Sequence, residues 1–278
     1  MEIIKNEHKL TPEEKWEQAT LANNFIFYKV MRNHQDACKQ LLEMLLGIKI
    51  EFMEMKQEET IALDYDSKGI RLDVFVKDAN RMFDVELQVA NTKELPERAR
   101  YYQGVMDVDT LKAGQKYKEL RDSHVIFICL EDIFKNGLPV NTFANICLED
   151  GKTKFGDRTY KHFFFAPLCA KMIEDEEIKA FFEFLISNQA SSSYTDELKN
   201  YVADAKQSTE NKMQFMTWER QRAYDLDAGR EEGRNEKAVE AAEKLIKMNI
   251  LTVEQIAEAQ GLTVEQVLEL KEKVSVKA

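Results

Sequence analysis

Glycine and proline are scarce in this chain, with ten and four among 278 residues. So few turn formers exclude collagen-like and linker-rich chains, and leave a helix-rich globular protein with few long loops. The sequence contains no glycine-rich phosphate loop, no serine-centred nucleophile elbow and no Cys/His nucleophile pairing. Four histidines, His8, His34, His124 and His162, are scattered without metal or HNH-like spacing. The four cysteines, Cys38, Cys129, Cys147 and Cys169, also lack metal-ligand spacing. Cys38 and Cys129 lie inside apolar helix and strand patterns and are expected to be reduced core residues. No apolar run approaches the length of a membrane span, and the opening MEIIKNEHKL has no signal-peptide apolar region. A cytoplasmic protein with no membrane partner is therefore expected. Positive charge is short too: 39 Lys and Arg against 50 Asp and Glu give a net charge of -11, which argues against broad nonspecific affinity for nucleic acid.

What the chain does have is enough apolar content, 44%, for a real core and one domain of ordinary to large size plus a smaller appendage. Thr11-Pro12-Glu13-Glu14 is a helix start, and apolar residues from Phe27 to Leu46 recur at helical spacing up to Gly47. A strand is expected from about Ile48 to Met55, a helix over 97–120 stopped by Asp122-Ser123, and a strand over Val125–Leu130. That last run, VIFICL, is continuously apolar, as a central strand buried on both faces requires. Short strands with turns at Asn136-Gly137 and Glu149-Asp150-Gly151 should follow, then helices from Ile173 onward. The serines 191–193 are the clearest interruption and set the expected boundary, with a core domain over 1–190 and a helical extension over 191–278. Near the end, Leu-Thr-Val-Glu-Gln at 251–255 recurs at 262–266, at the spacing of a helix-turn-helix. Its second helix presents Glu265 and Glu269, so a packing or self-association element is the favoured reading over DNA contact. The charge is also uneven: from Lys68 to Arg121 eleven basic residues face nine acidic ones, a local balance of +2.

The segment from Gly69 to Val89, GIRLDVFVKDANRMFDVELQV, alternates apolar and polar residues in two runs joined by a turn-prone Asp-Ala-Asn-Arg. It reads as a β-hairpin. With the turn centred between Ala79 and Asn80, paired numbers sum to 159: Asp73 faces Glu86, and Arg71 faces Gln88. Opposed side chains on neighbouring strands have Cβ atoms roughly 5 Å apart, where like charges destabilise the sheet. A shared divalent cation, a nearby Arg or Lys, or a shared proton would each compensate, and a solvated outer face would need none of them. Among cations a hard one such as Mg2+ fits best, because every available ligand is oxygen.

At these residues the sequence resembles the PD-(D/E)XK nuclease superfamily, in its recombination-promoting nuclease and transposase branch. The resemblance is carried by Gly69-Ile70-Arg71-Leu72-Asp73-Val74, by Glu86-Leu87-Gln88, and by Arg98-Ala99-Arg100-Tyr101-Tyr102, with further similarity from Leu21 to Lys171. Where the superfamily name has Lys, this chain has Gln88, and an amide brings no positive charge to water or phosphate. Asn23-Asn24 stands where an Asp is frequent, and Asn caps a helix equally well.

The resemblance implies an α/β fold, a mixed central sheet flanked by helices, and a metal-dependent endonuclease acting on DNA, linked to recombination or mobile elements. It implies Asp73, Glu86 and the Leu87 backbone carbonyl as ligands to Mg2+, with Mn2+ as the alternative, and Gln88 orienting the water or metal shell. Arg71 is the candidate for positive charge. Arg100, Tyr101 and Tyr102 either approach phosphate and bases or, for the Tyr pair, pack the helix on the sheet. Glu43 is either an extra carboxylate for the metal or a solvated helix-face acid, and Asp84 either supports Glu86 or is solvated. The competing function is a catalytically impaired, nuclease-like protein that binds DNA or a protein partner.

Overall fold

The computed structural model describes residues 10–55, 60–61, 70–71, 74–89 and 93–276. The chain divides into two compact units, 1–212 and 213–278.

The first unit opens with three helices, each begun or ended by the residue its sequence signals. Thr11 and Glu14 close a capping box on α1 (Pro12–Gln18). The Asn23 side chain accepts from the Phe25 and Ile26 amides at 3.0 and 3.4 Å, starting α2 (Asn24–Asn33). Gly47, at φ +63°, ends α3 (Gln35–Leu46) in the left-handed conformation that glycine tolerates best. The strand expected from Ile48 is reduced to β1 (Glu54–Met55). Its first half cannot join a ladder as expected, since the Ile50 amide donates to Glu43 and the Lys49 carbonyl accepts from Arg81.

β2 (Thr60–Ile61) and β3 (Ile70–Arg71) form a separate antiparallel pair. β4 (Val74–Lys77) and β5 (Arg81–Gln88) make the expected hairpin. Their pairs Val74–Val85, Phe75–Asp84, Val76–Phe83 and Lys77–Met82 each sum to 159. The next helix, α4 (Leu95–Thr110), is shorter than the 97–120 expected. Leu111 is extended, Gly114 sits at φ +88°, and Asp122-Ser123 begins β6 (Asp122–Cys129) instead of stopping a helix. β7 (Val140–Phe143) and β8 (Thr159–Phe165) follow, with Gly137 and Gly151 at positive φ in the two anticipated turns.

Among the described residues, six strands form one mixed sheet in the order β1-β4-β5-β6-β8-β7. β5, β6 and β8 run parallel, and their neighbours outward are antiparallel. Residues Val125 to Cys129 of β6 are all buried, as a central strand requires. One face packs against α4 through Phe75, Val125, Phe127, Cys129, Phe163 and Phe165. On the other, α2 lies over β4 and β5, and Phe164 stacks on Phe182 of α6 (Glu176–Ser187), which follows the short α5 (Ala166–Met172).

The division between units falls after Lys212, beyond the expected boundary at 190, because the serine cluster is a helix cap. The Ser192 side chain accepts from the Thr195 amide at the start of α7 (Ser193–Gln207). That helix is held in the first unit: the Tyr194 hydroxyl donates to the Ala37 carbonyl at 2.8 Å, and Tyr201 stacks on His34 at 3.5 Å.

α8 (Thr209–Met248) leads into the second unit, where α9 (Val253–Gln260) and α10 (Val264–Val276) pack with its end. The repeated Leu-Thr-Val-Glu-Gln is two capping boxes: Thr252 with Gln255, and Thr263 with Gln266. Ala242, Ile256, Ala257, Val267 and Leu270 form the small core of this three-helix arrangement. No helix among the described residues is long and apolar enough to cross a membrane.

Candidate active site

β5 alternates strictly, so Asp84, Glu86 and Gln88 share the face covered by α4 while Phe83, Val85 and Leu87 point to the other. That face is not a solvated one. Asp84 is fully buried and Glu86 is 3% exposed. Phe75 lies directly opposite Asp84, and Asp73, expected opposite Glu86, lies outside the described residues.

A buried carboxylate requires compensation, and α4 supplies it. Arg98, in the first turns of that helix, donates from Nη2 to Glu86 Oε2 at 3.0 Å and from Nη1 to Gln88 Oε1 at 2.9 Å. It also donates to the Tyr102 hydroxyl, one helical turn on, at 3.0 Å. Its guanidinium lies over the Tyr102 and Phe127 rings, 5.2 and 5.6 Å from their centroids, which is cation-π geometry. The planar fork therefore binds two residues of β5 at once, a geometry that a lysine ammonium does not reproduce. Burial, with the charges of Glu86 and Asp84 adding to it against Arg98, pushes the Tyr102 hydroxyl up to about 12, so it stays a neutral phenol.

The remaining candidates separate. Tyr102 packs the helix on the sheet, whereas Tyr101 is 38% exposed and Arg100 is exposed. Of the Tyr pair, Tyr102 alone is buried in the core between helix and sheet. Arg71 is placed only by its backbone, opposite Thr60. Glu43 is tied to the start of β5, not to its Glu86 end. Its carboxylate accepts from the Ile50 amide at 2.8 Å and pairs with Lys49, whose carbonyl in turn meets Arg81. The Ile50 hydrogen bond, with Lys49, holds its pKa below the usual carboxylate range. Glu43 caps a loop.

Arg98 is the partner of Glu86 and Gln88 that strand alternation alone leaves unmarked. The available signal was its spacing of four from Tyr102 on a helix following the acidic strand.

As a donor set for a metal, the described residues offer the Glu86 carboxylate, the Leu87 carbonyl and the Gln88 amide, all hard oxygens suited to a divalent cation. No cluster of three His, Cys, Asp or Glu able to hold a metal occurs among the described residues. A second carboxylate would have to come from Asp73.

A mixed six-stranded sheet flanked by helices, with a helical C-terminal part, is consistent with a nuclease-type α/β fold. The chain belongs to the PD-(D/E)XK nuclease family transposases, whose sequence profile matches residues 23–228. No curated protein and no solved structure matches it.

Proposed function

We propose that the protein is a divalent-metal-dependent DNA endonuclease, with Asp73, Glu86 and the Leu87 carbonyl as the metal ligands and Gln88 as the orienting amide. The observation that carries this reading is the hairpin register. It holds at 159 through four consecutive pairs, from Lys77–Met82 to Val74–Val85, and the same sum carried one pair further would set Asp73 opposite Glu86. Family membership supports DNA as the substrate and recombination or mobile elements as the setting. A bound Mg2+ or Mn2+ would lower the pKa of a water and offset charge as that water attacks a phosphodiester in line.

The chain's own residues do the positioning. Arg98 bonds Glu86 and Gln88 through one guanidinium and places a permanent positive charge 2.9 Å from Gln88 Oε1. That charge stands beside the position where the superfamily name has Lys, a role expected of Arg71 from the sequence. Gln88 Oε1 accepts from Arg98, and the amide held in this way would orient the water or metal shell.

The test is cleavage of supercoiled plasmid by purified protein. Nicking or linearisation should require Mg2+ or Mn2+ and vanish in Asp73→Ala and Glu86→Ala; variants that cut like the parent would overturn the site. A second reading, a catalytically impaired DNA-binding protein, is favoured by the same Arg98–Glu86 bond, which occupies an oxygen that a metal would use. DNA binding with no turnover at any divalent concentration would select it.

A further inference from the structure

Beside the acidic strand, on the same face of the sheet, a cavity of about 410 Å³ opens between the start of α4 and the β7–β8 edge. This falls within the range of roughly 300–1,000 Å³ usual for small-molecule sites. Its wall is aromatic. Phe134, Phe143 and Phe163 meet edge to face, with centroids 5.0 Å apart for Phe134–Phe143, 5.1 Å for Phe134–Phe163 and 5.8 Å for Phe143–Phe163. Phe143 is 44% exposed, so part of this aromatic surface faces solvent. Pro96, Ala144, the two cations Arg100 and Lys161, and Asn145, whose amide nitrogen donates to Asp157 at 2.6 Å and whose oxygen is an acceptor, complete the lining. Burial lowers the Lys161 pKa, while the charges of Asp157 and Asp107 oppose that.

The cavity is in register with the candidate active site. Glu86 pairs with Phe127, and Phe127 pairs with Phe163, whose ring stacks on it at 5.3 Å. Two strand spacings put Phe163 about 10 Å from Glu86 along the sheet. That is roughly three stacked steps of a nucleic-acid strand at 3.4 Å each, and fewer once the strand is splayed. An aromatic wall with a π-face on offer, an amide and an arginine suit a nucleobase with its phosphate. The hairpin that supplies Phe143 and Asn145 also exposes Ile146, Leu148 and Phe155, apolar side chains of the kind that fill a gap left in a base stack.

We propose that this cavity receives one unstacked base of the bound DNA strand, a few nucleotides from the phosphodiester held at Glu86, with Arg100 on the adjoining phosphate. The inference rests on the nuclease reading for its substrate, and its readout is binding in metal-free buffer, where cutting plays no part. The full chain is titrated into duplexes carrying 2-aminopurine at successive positions of one strand. Fluorescence is expected to rise at one or two adjacent positions and not elsewhere. Phe143→Ala should abolish that rise and weaken binding about tenfold, the size of one base–aromatic stack. Phe143→Tyr should retain both. Arg100→Ala should weaken binding and flatten its salt dependence by about one unit of slope.

No rise at any position, or a rise that survives Phe143→Ala, overturns the proposal even if the parent cuts plasmid. If Phe143→Ala shifts the oligomeric state on sizing and leaves DNA binding intact, the cavity belongs to a protein contact and the proposal falls. A rise lost in Phe143→Ala in a protein that never cuts would uphold the base pocket and reject the nuclease reading.

Discussion

Arg98 Nη2 stands 3.0 Å from Glu86 Oε2, joining the first turns of α4 to the end of β5 through a pair whose acid is almost wholly buried. The bond makes the packing of the helix and the orientation of the candidate metal ligand one interaction. Any change in how α4 sits on the sheet is felt at Glu86.

Arg98→Met should therefore destabilise the fold. Removing one partner of a buried pair costs about 3–5 kcal/mol, and the 30% exposure of Arg98 reduces this to about 2–3 kcal/mol. Urea unfolding followed by circular dichroism measures the loss. Adding Glu86→Gln to the same chain should recover part of it, because the uncompensated charge is then gone.

Gln88→Lys, which restores the residue named in the superfamily pattern, should not raise activity here. It would bring an ammonium to within contact of the Arg98 guanidinium that Gln88 Oε1 now accepts from at 2.9 Å. The expected result is a lower melting temperature and slower plasmid cleavage than the parent. Faster cleavage would show that Arg98 does not supply the charge at this position.

Much of this was legible in the sequence because it is local. The alternation of 74–76 and 83–88 and the Asp-Ala-Asn-Arg turn dictated a two-residue period and a register, and β4–β5 has both. Thr11, Asn23 and Gly47 marked helix ends through capping chemistry that needs only a few residues. The failures are tertiary. Whether the acidic face of β5 met water or a helix depended on where α4 lay, and no period within β5 records that. The end of α4 was missed because the polar stretch after Thr110 continues to resemble a helix until Gly114. The serines at 191–193 interrupt the pattern as a domain boundary would, because a helix cap and a boundary use the same residues, and the Tyr194 hydroxyl bond to Ala37 distinguishes them.

Stability should fall in mild acid through a histidine pair, His162 buried and His124 half-buried. His124 Nδ1 and His162 Nε2 lie 3.1 Å apart, His162 also meets the Thr142 hydroxyl, and both rings stack within the Phe83–Tyr160 row. Burial, aided for His124 by Arg81 and for His162 by His124, lowers each from 6.5 to about 4. Above pH 6.5 neither state is protonated and the full stability is present. As pH falls from about 6.5 toward 4 the unfolded chain takes up protons first, so stability is lost, by at most on the order of 3 kcal/mol per ring. Urea midpoints at pH 7, 5.5 and 4.5 follow the loss. His162→Gln should flatten the dependence; an unchanged slope would assign it to other groups.

Self-association through the C-terminal helices is best tested by cutting the chain where its compact units divide. A chain ending at Asn188 would lose α7, along with the Tyr194 hydroxyl bond to Ala37 and the Tyr201–His34 stack, and should unfold or aggregate for reasons unrelated to assembly. A chain ending at Lys212 retains α7 and should remain folded. If light scattering finds the full chain larger than a monomer and the 1–212 chain monomeric, the terminal helices hold the assembly together. Equal oligomeric states would place the contact in the first unit. Within the second unit, Thr252→Ala and Thr263→Ala each remove one half of a capping box. Each should cost about 1 kcal/mol, and together they should weaken the assembly before they affect the first unit.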